Sequence, residues 1–191
     1  MRIISGKHRG RKIEMLKEAG GDIRPTSEFA REAIFNILNH GKFSEDGSSN
    51  IVGKDVLDVF CGTGAFGLES LSRGAKSATF IDSSRPSIAT ARHNAGKMHE
   101  TENSEFIQTD ARKLARARKS YNLIFIDPPY FEKLITPTLL ALNSGGWVAQ
   151  DALIIIEHDG KEVVPIPEMF EVLDSRKYGR AMVEVLRLIS I

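Results

Sequence analysis

The chain contains a single cysteine, Cys61, so no internal disulfide can staple the fold and its stability must come from packing. No apolar run reaches the roughly 18–20 residues that a membrane-spanning helix needs. The N-terminus lacks the apolar h-region of a secretory signal, so a cytoplasmic protein is expected. An excess of one charge sign is also missing: 26 Lys and Arg against 25 Asp and Glu leave +1, so a polyanion would have to be met by a local basic patch. The five histidines, His8, His40, His93, His99 and His158, show no metal-ligand spacing, and Cys61 has no cysteine partner. No metal site is therefore expected. What is present, 191 residues with 41% hydrophobic and 27% charged, suits one compact unit with a sizeable core.

Two regions differ in pattern. Residues 1–50 read as a small extension and residues 51–191 as the main domain. Met1 to Lys12 carries Arg2, Lys7, Arg9, Arg11 and Lys12 with no acid, punctuated by Gly6 and Gly10, as in a basic arm or hairpin. In a strand Lys7, Arg9 and Arg11 would share one face. After Arg24-Pro25-Thr26-Ser27, apolar residues at Phe29, Ala33 and Ile37, with Ala30, Ile34 and Leu38 beside them, predict an amphipathic helix ending near Gly41. A polar loop follows through Glu45 and Asp46.

From about Lys54 apolar strands alternate with helices. The expected strands are Asp55–Phe60, Ala78–Ile81, Glu105–Gln108, Asn122–Ile126 and Leu153–Glu157, with helices starting near Ala65, Pro86, Ala111 and Glu132. This alternation points to an α/β fold with a mostly parallel sheet. The end breaks the pattern, because Phe170–Arg176 and Met182–Ile189 are too close for a helical crossover and predict an antiparallel hairpin. Arg112, Lys113, Arg116, Arg118 and Lys119 read as a solvated helix face, with an extended RNA-binding surface as the alternative.

The first strand runs into Cys61-Gly62-Thr63-Gly64-Ala65-Phe66-Gly67 and then a helix. Glycines there let the backbone turn tightly and approach a ligand at the helix N-terminus. The spacing matches a dinucleotide loop, with Asp82 about twenty residues on. Asp58 separates that reading from S-adenosylmethionine, since a carboxylate beside the loop repels a pyrophosphate but attracts the ammonium of a methionine moiety. Asp82 suits ribose hydroxyls, and Asp110 can accept from an adenine amino group. In open parallel sheets these strand ends converge on the ligand. Cys61 beside the loop reads as packed small volume, with a nucleophile as the alternative.

The fourth strand ends in Asp127-Pro128-Pro129-Tyr130. Two prolines fix the backbone and remove two N–H donors, which makes an acceptor-rich site. The Asp127 carboxylate and the Pro128 carbonyl can take both N–H bonds of an aromatic amine and aim its lone pair at a methyl group. Tyr130 offers a face on which a base can stack. Asp-Pro-Pro is also an ordinary turn after a strand.

Together, Arg2-Ile3-Ile4-Ser5-Gly6-Lys7-His8-Arg9-Gly10-Arg11, Arg24-Pro25-Thr26 leading into Arg31-Glu32-Ala33-Ile34-Phe35-Asn36, the glycine loop through Gly67-Leu68-Glu69, and Asp127-Pro128-Pro129-Tyr130 resemble the bacterial 16S ribosomal RNA guanine-N2 methyltransferases of the small-subunit methyltransferase D type. The resemblance implies a Rossmann-like class I S-adenosylmethionine methyltransferase, with a seven-stranded sheet whose last strand is antiparallel, behind a small RNA-contacting extension. It implies Asp127, Pro128, Pro129 and Tyr130 as the catalytic set. It further implies Asp58, Phe60, Gly62, Gly64, Asp82, Asp110 and Ala111 around S-adenosylmethionine, and Arg2, Lys7, Arg9, Arg11, Lys12, Arg24 and Arg31 on RNA. The expected partner is 16S RNA or the small ribosomal subunit, met by a monomer. Cys61, Asp82 and Tyr130 depart from the family's more usual alanine, glutamate and phenylalanine. Methylation of adenine N6 in DNA, or of another amine, is the alternative.

Overall fold

The computed structural model describes residues 1–15, 28–39, 43–44 and 47–189. Seven strands form one sheet in the order β3-β2-β1-β4-β5-β7-β6. They are β1 (Asp55–Val59), β2 (Ser77–Asp82), β3 (Ser104–Gln108), β4 (Tyr121–Ile126), β5 (Val148–Asp159), β6 (Phe170–Tyr178) and β7 (Ala181–Leu188). The first five pair in parallel, and β7 lies antiparallel between β5 and β6. The helices are α1 (Glu28–Asn39), α2 (Ala65–Ser72), α3 (Arg85–Lys97) and α4 (Ile135–Ser144).

Burial on both faces explains the solidly apolar central strands: Val56, Leu57 and Val59 of β1 and Leu123 to Ile126 of β4 are all buried. On one face Phe35 of α1 stacks on Phe66 of α2 at 4.8 Å, and Phe66 stacks on Phe125 of β4 at 4.1 Å. This column carries the N-terminal extension into the main core, where Ile3, Ile13, Ile34 and Leu38 join it. Ile135, Leu139 and Leu142 of α4 cover the other face with Trp147.

The chain winds outward from β1 through β2 to β3, then crosses back to place β4 on the other side of β1. That reversal opens a crevice at the carboxyl ends of β1 and β4, the usual ligand position in such sheets.

Four expectations are corrected. The region at Ala111 is only a 3-10 turn, Ala111–Lys113. Beyond it the backbone bonds elsewhere, with Ala117 N–H donating to the Gly145 carbonyl and the Ala115 carbonyl accepting from Trp147 Nε1, so the basic residues from Arg116 to Lys119 lie on no helix. α4 starts at Ile135 and not near Glu132, because Phe131 and Lys133 have φ of 64° and 53° and cannot enter a right-handed helix. β5 spans twelve residues, far longer than Leu153–Glu157, taking in the polar Gln150 and Asp151 past a register shift. The arm is a short hairpin bridged at Arg2 and Lys12, and the intervening residues turn, so Lys7, Arg9 and Arg11 do not form one strand face.

Gly67 marks the tightest packing of α2 on the sheet. A Cβ there would sit 2.4 Å from a ring carbon of Phe80, which is fully buried and itself stacked on Phe106 at 5.0 Å. Gly67→Ala is expected to lower stability by about 1–3 kcal/mol through overpacking, and thermal denaturation would show it as a lower Tm. An unchanged Tm would mean that Phe80 can move.

Candidate active site

Three acids stand at or just beyond the carboxyl ends of β1, β2 and β3. Asp58 is 2% exposed, and one carboxylate oxygen accepts the Gly67 N–H at 2.9 Å. Burial pushes its carboxyl well above the usual carboxylate range, and the negative charges of Asp127 and Asp82 push the same way against the Gly67 hydrogen bond. Asp82 binds the glycine loop to its own strand, accepting Gly62 N–H at 3.0 Å on one oxygen and Ser84 N–H at 2.8 Å on the other. Asp110 caps the 3-10 turn by accepting Arg112 N–H at 2.9 Å. The Arg112 guanidinium also grips both its oxygens and lowers its pKa to about 2, which keeps it anionic.

Between Asp58 and Asp82, Gly62 and Gly64 hold φ of 53° and 78°, the left-handed region that glycine enters without strain. Phe60 precedes them with φ 61° and is half-buried; Ala111 is buried beside Asp110. Cys61 is buried in the core, and desolvation first, then Asp58 and Asp82, raises its thiol pKa. It is packing volume and a poor nucleophile.

Asp127 follows β4 directly, its N–H reaching the Val59 carbonyl of β1 at 3.4 Å. Because Asp58 pairs with Phe125 in register, Asp58 and Asp127 flank the crevice where the winding reverses. Pro128 is buried and Pro129 exposed. Tyr130 donates its hydroxyl hydrogen to Glu157 Oε1 at 3.2 Å; burial, then Glu157, holds that phenol far above its ordinary pKa and therefore protonated. Glu157, 2% exposed near the end of β5, was not singled out as a site residue, although an acid closing an apolar strand run is a readable signal.

The described members of the expected RNA set do not all lie at the surface. Arg31 is corrected outright: it is 2% exposed and donates to the Arg2 carbonyl at 2.7 Å, which makes it an internal tie for the hairpin. Lys7 pairs with Glu100 at 2.6 Å, and Arg11 donates to the Lys97 carbonyl at 2.8 Å. Arg2 donates to Gly10 within the hairpin, while Arg9 and Lys12 stand exposed. Arg24 lies outside the described residues. The hairpin docks where α2 ends, with Lys7 N–H on the Ser72 carbonyl at 2.9 Å. Just beyond, Gly74 and Lys76 bond to Gly53 and Lys54, which precede β1, so this is the amino edge of the sheet, opposite Asp127.

Comparison with known proteins agrees with this geometry. The model of the family described as conserved hypothetical protein 95 matches residues 1–187. The ribosomal RNA small subunit methyltransferase D of Escherichia coli is 34% identical over 166 residues, covering 86% of this chain and 78% of the relative. The chain belongs to the small-subunit methyltransferase D family. The Haemophilus influenzae member is 29% identical over 183 residues, covering 94% and 89% of the two chains. The solved structure of yhhF from Escherichia coli, described as a methyltransferase candidate, superposes with a TM-score of 0.80 at 31% identity, covering 98% of this chain and 97% of that one. Family and fold make the chain an S-adenosylmethionine-dependent methyltransferase.

The residues fit that cofactor. The loop from Phe60 to Gly67 contains no basic side chain, and it lies between the Asp58 and Asp82 carboxylates. A pyrophosphate charge about 5 Å from the Asp82 carboxylate, or from Asp58 once ionised, would be opposed by roughly 3 kcal/mol at an effective dielectric of about 20. A cationic methionine moiety would gain a similar amount. Among the described residues no group of three His, Cys, Asp or Glu could hold a metal ion, and no helix is long and apolar enough to cross a membrane.

Asp58 yields a stability prediction with a definite sign. Its folded pKa is raised, so its contribution to stability is complete below the unfolded value and is lost as pH rises through the folded one. Asp58→Asn retains an acceptor for Gly67 and cannot ionise. The cofactor-free variant should therefore match the parent in acid and exceed it in Tm at pH 7–8. A lower Tm across the whole range would refute a desolvated carboxyl.

Proposed function

We propose that this methyltransferase modifies the N2 amine of one guanine in 16S RNA of the small ribosomal subunit. The observation that carries the reading is the placement of Asp127 at the reversal beside Asp58, with the Tyr130 ring fixed next to it by Glu157. Support for the substrate comes from the Escherichia coli and Haemophilus influenzae relatives, both named as small-subunit ribosomal RNA methyltransferases. Guanine N2 rests on the family resemblance, because an acceptor pair serves any exocyclic amine.

When bound, S-adenosylmethionine supplies an electrophilic methyl group on a sulfonium. In this reading Asp58 holds the ammonium, Phe60, Gly62 and Gly64 line the cofactor, Asp82 accepts from the ribose, and Asp110 with Ala111 meets the adenine. Asp127 and the Pro128 carbonyl accept the two N–H bonds of the target amine and set its lone pair toward the methyl, while Pro129 stiffens the turn. Asp127 would stabilise the positive charge that the target amine gains on accepting the methyl, and the one proton that the amine then loses would pass to solvent. Tyr130, kept neutral, stacks on a base that has left its helix.

The hairpin contributes binding at a distance. Its tip docks an eight-residue α2, about 12 Å, from the glycine loop and meets the RNA backbone away from the target base, whereas its far end at Glu14 reaches that loop through Asn94. Arg9 and Lys12 are its best candidates for phosphate contact. Replacing both by alanine should weaken RNA binding and flatten its salt dependence by up to about two in log–log slope, with cofactor affinity unchanged; an unaltered slope would remove the arm from the interface.

Labelled methyl transfer to small subunits, naked ribosomal RNA and duplex DNA tests the substrate. N2-methylguanosine in ribosomal RNA is the expected product. N6-methyladenine in DNA, with no label in RNA, would overturn the reading. Asp127→Ala should fold, bind S-adenosylmethionine normally and lose about 100-fold or more in kcat.

A further inference from the structure

The residue after the proposed catalytic set is Phe131. It is 51% exposed, although it is a large aromatic beside a crevice, and its φ of 64° is a conformation that L side chains rarely adopt. Both features work against stability, and the surroundings enforce them. The Phe131 N–H donates to a Glu162 carboxylate oxygen at 3.1 Å, which fixes the strained backbone. The Arg180 guanidinium lies 5.9 Å from the Phe131 ring centre and 5.8 Å from that of Tyr130. Arg180 is itself steered: its Nε–H is bonded to the fully buried carboxylate of Asp159 at the end of β5. The antiparallel pairing of Asp159 with Ala181 brings the β6–β7 turn, and Arg180 with it, to this rim.

Two aromatic rings with a guanidinium against them, Tyr130 bonded to buried Glu157, Arg180 to buried Asp159 and the Phe131 backbone to Glu162, form a platform open to solvent. Exposed aromatics flanked by a cation bind unstacked bases of single-stranded nucleic acid, because every base has a π-face and the cation attracts the adjoining phosphate. Tyr130 is already assigned to the target base. We propose that Phe131, backed by Arg180, is a separate subsite that stacks the base of a nucleotide adjacent to the target and so holds the RNA strand open around it. This subsite rests on the RNA reading above and is indifferent to which amine is methylated.

The test uses the full chain and the shortest RNA fragment that it methylates. Phe131→Ala should raise the KM for that fragment by about 5- to 100-fold, the range spanned by stacking one base, with kcat and cofactor affinity unchanged. Phe131→Tyr and Phe131→Trp should restore KM, whereas Phe131→Leu, apolar but without a π-face, should not. Fragments with an abasic site 5′ or 3′ of the target provide the second readout. One of them should raise the parent KM by a similar factor, and the same fragment should cost Phe131→Ala nothing more. Leucine performing as well as tyrosine, or abasic and Phe131→Ala effects that multiply, would overturn the subsite while leaving the RNA reading intact. Absence of any RNA methylation by the parent would overturn both.

Discussion

A carboxylate buried at the carboxyl end of the central strand is the constraint around which this site is arranged. Asp58 has lost its water and receives one backbone N–H, from Gly67, in a neighbourhood that also contains Asp82 and Asp127. Left alone, such a group takes up a proton. It ionises readily when a cation arrives, so the apo site is poised for a positively charged ligand. The geometry that achieves this is tightly coupled: Gly67 must lack a side chain to approach Phe80, and that approach places its N–H over Asp58. The same loop is fastened to β2 through Gly62 and Asp82.

The N-terminal extension is integrated by equally specific buried polar contacts. Glu69 of α2, with no exposure, accepts Ile4 N–H at 2.7 Å, Ser5 N–H at 3.0 Å and Arg73 Nε–H at 2.7 Å. Asn94 of α3 bonds to both backbone groups of Glu14 and donates to the Thr63 carbonyl in the glycine loop. Charge-assisted bonds of this kind are strong, and leaving one partner buried alone is costly. The hairpin is therefore a fixed part of the molecule, connected through one amide side chain to the cofactor loop.

Much of this was legible in the sequence, for reasons that differ by residue. Asp58, Asp82 and Asp127 could be read because each sits at or immediately after the apolar run of its strand, a local pattern that topology brings to one edge. The final hairpin was readable because five residues between Phe170–Arg176 and Met182–Ile189 leave no room for a helix. Ala111 misled because a capped, charged segment resembles a helix start, whereas long-range bonds to Gly145 and Trp147 decided its course. Arg31 misled because nothing local reveals that a basic residue points inward. Glu157, Arg180 and Asn94 act through contacts 21 to 80 residues away along the chain, on partners that only the folded sheet brings near.

The balance of charge conceals a division of space. The carboxyl edge collects Asp58, Asp82, Asp110, Asp127 and Glu157, which suits a cationic donor and an amine but is hostile to phosphate. A polyanionic substrate must therefore be met outside this cluster of acids, at its rim or beyond, while a single base enters. The tip of the hairpin docks at the opposite edge, where Lys7 meets the end of an α2 of about 12 Å. That exceeds the Debye length of about 8 Å at physiological ionic strength, so solvent-exposed acids of the carboxyl edge act only weakly on the tip. Segregation, and not net charge, lets a protein of formal charge +1 carry an acidic cluster of strand ends and a basic hairpin on one small sheet.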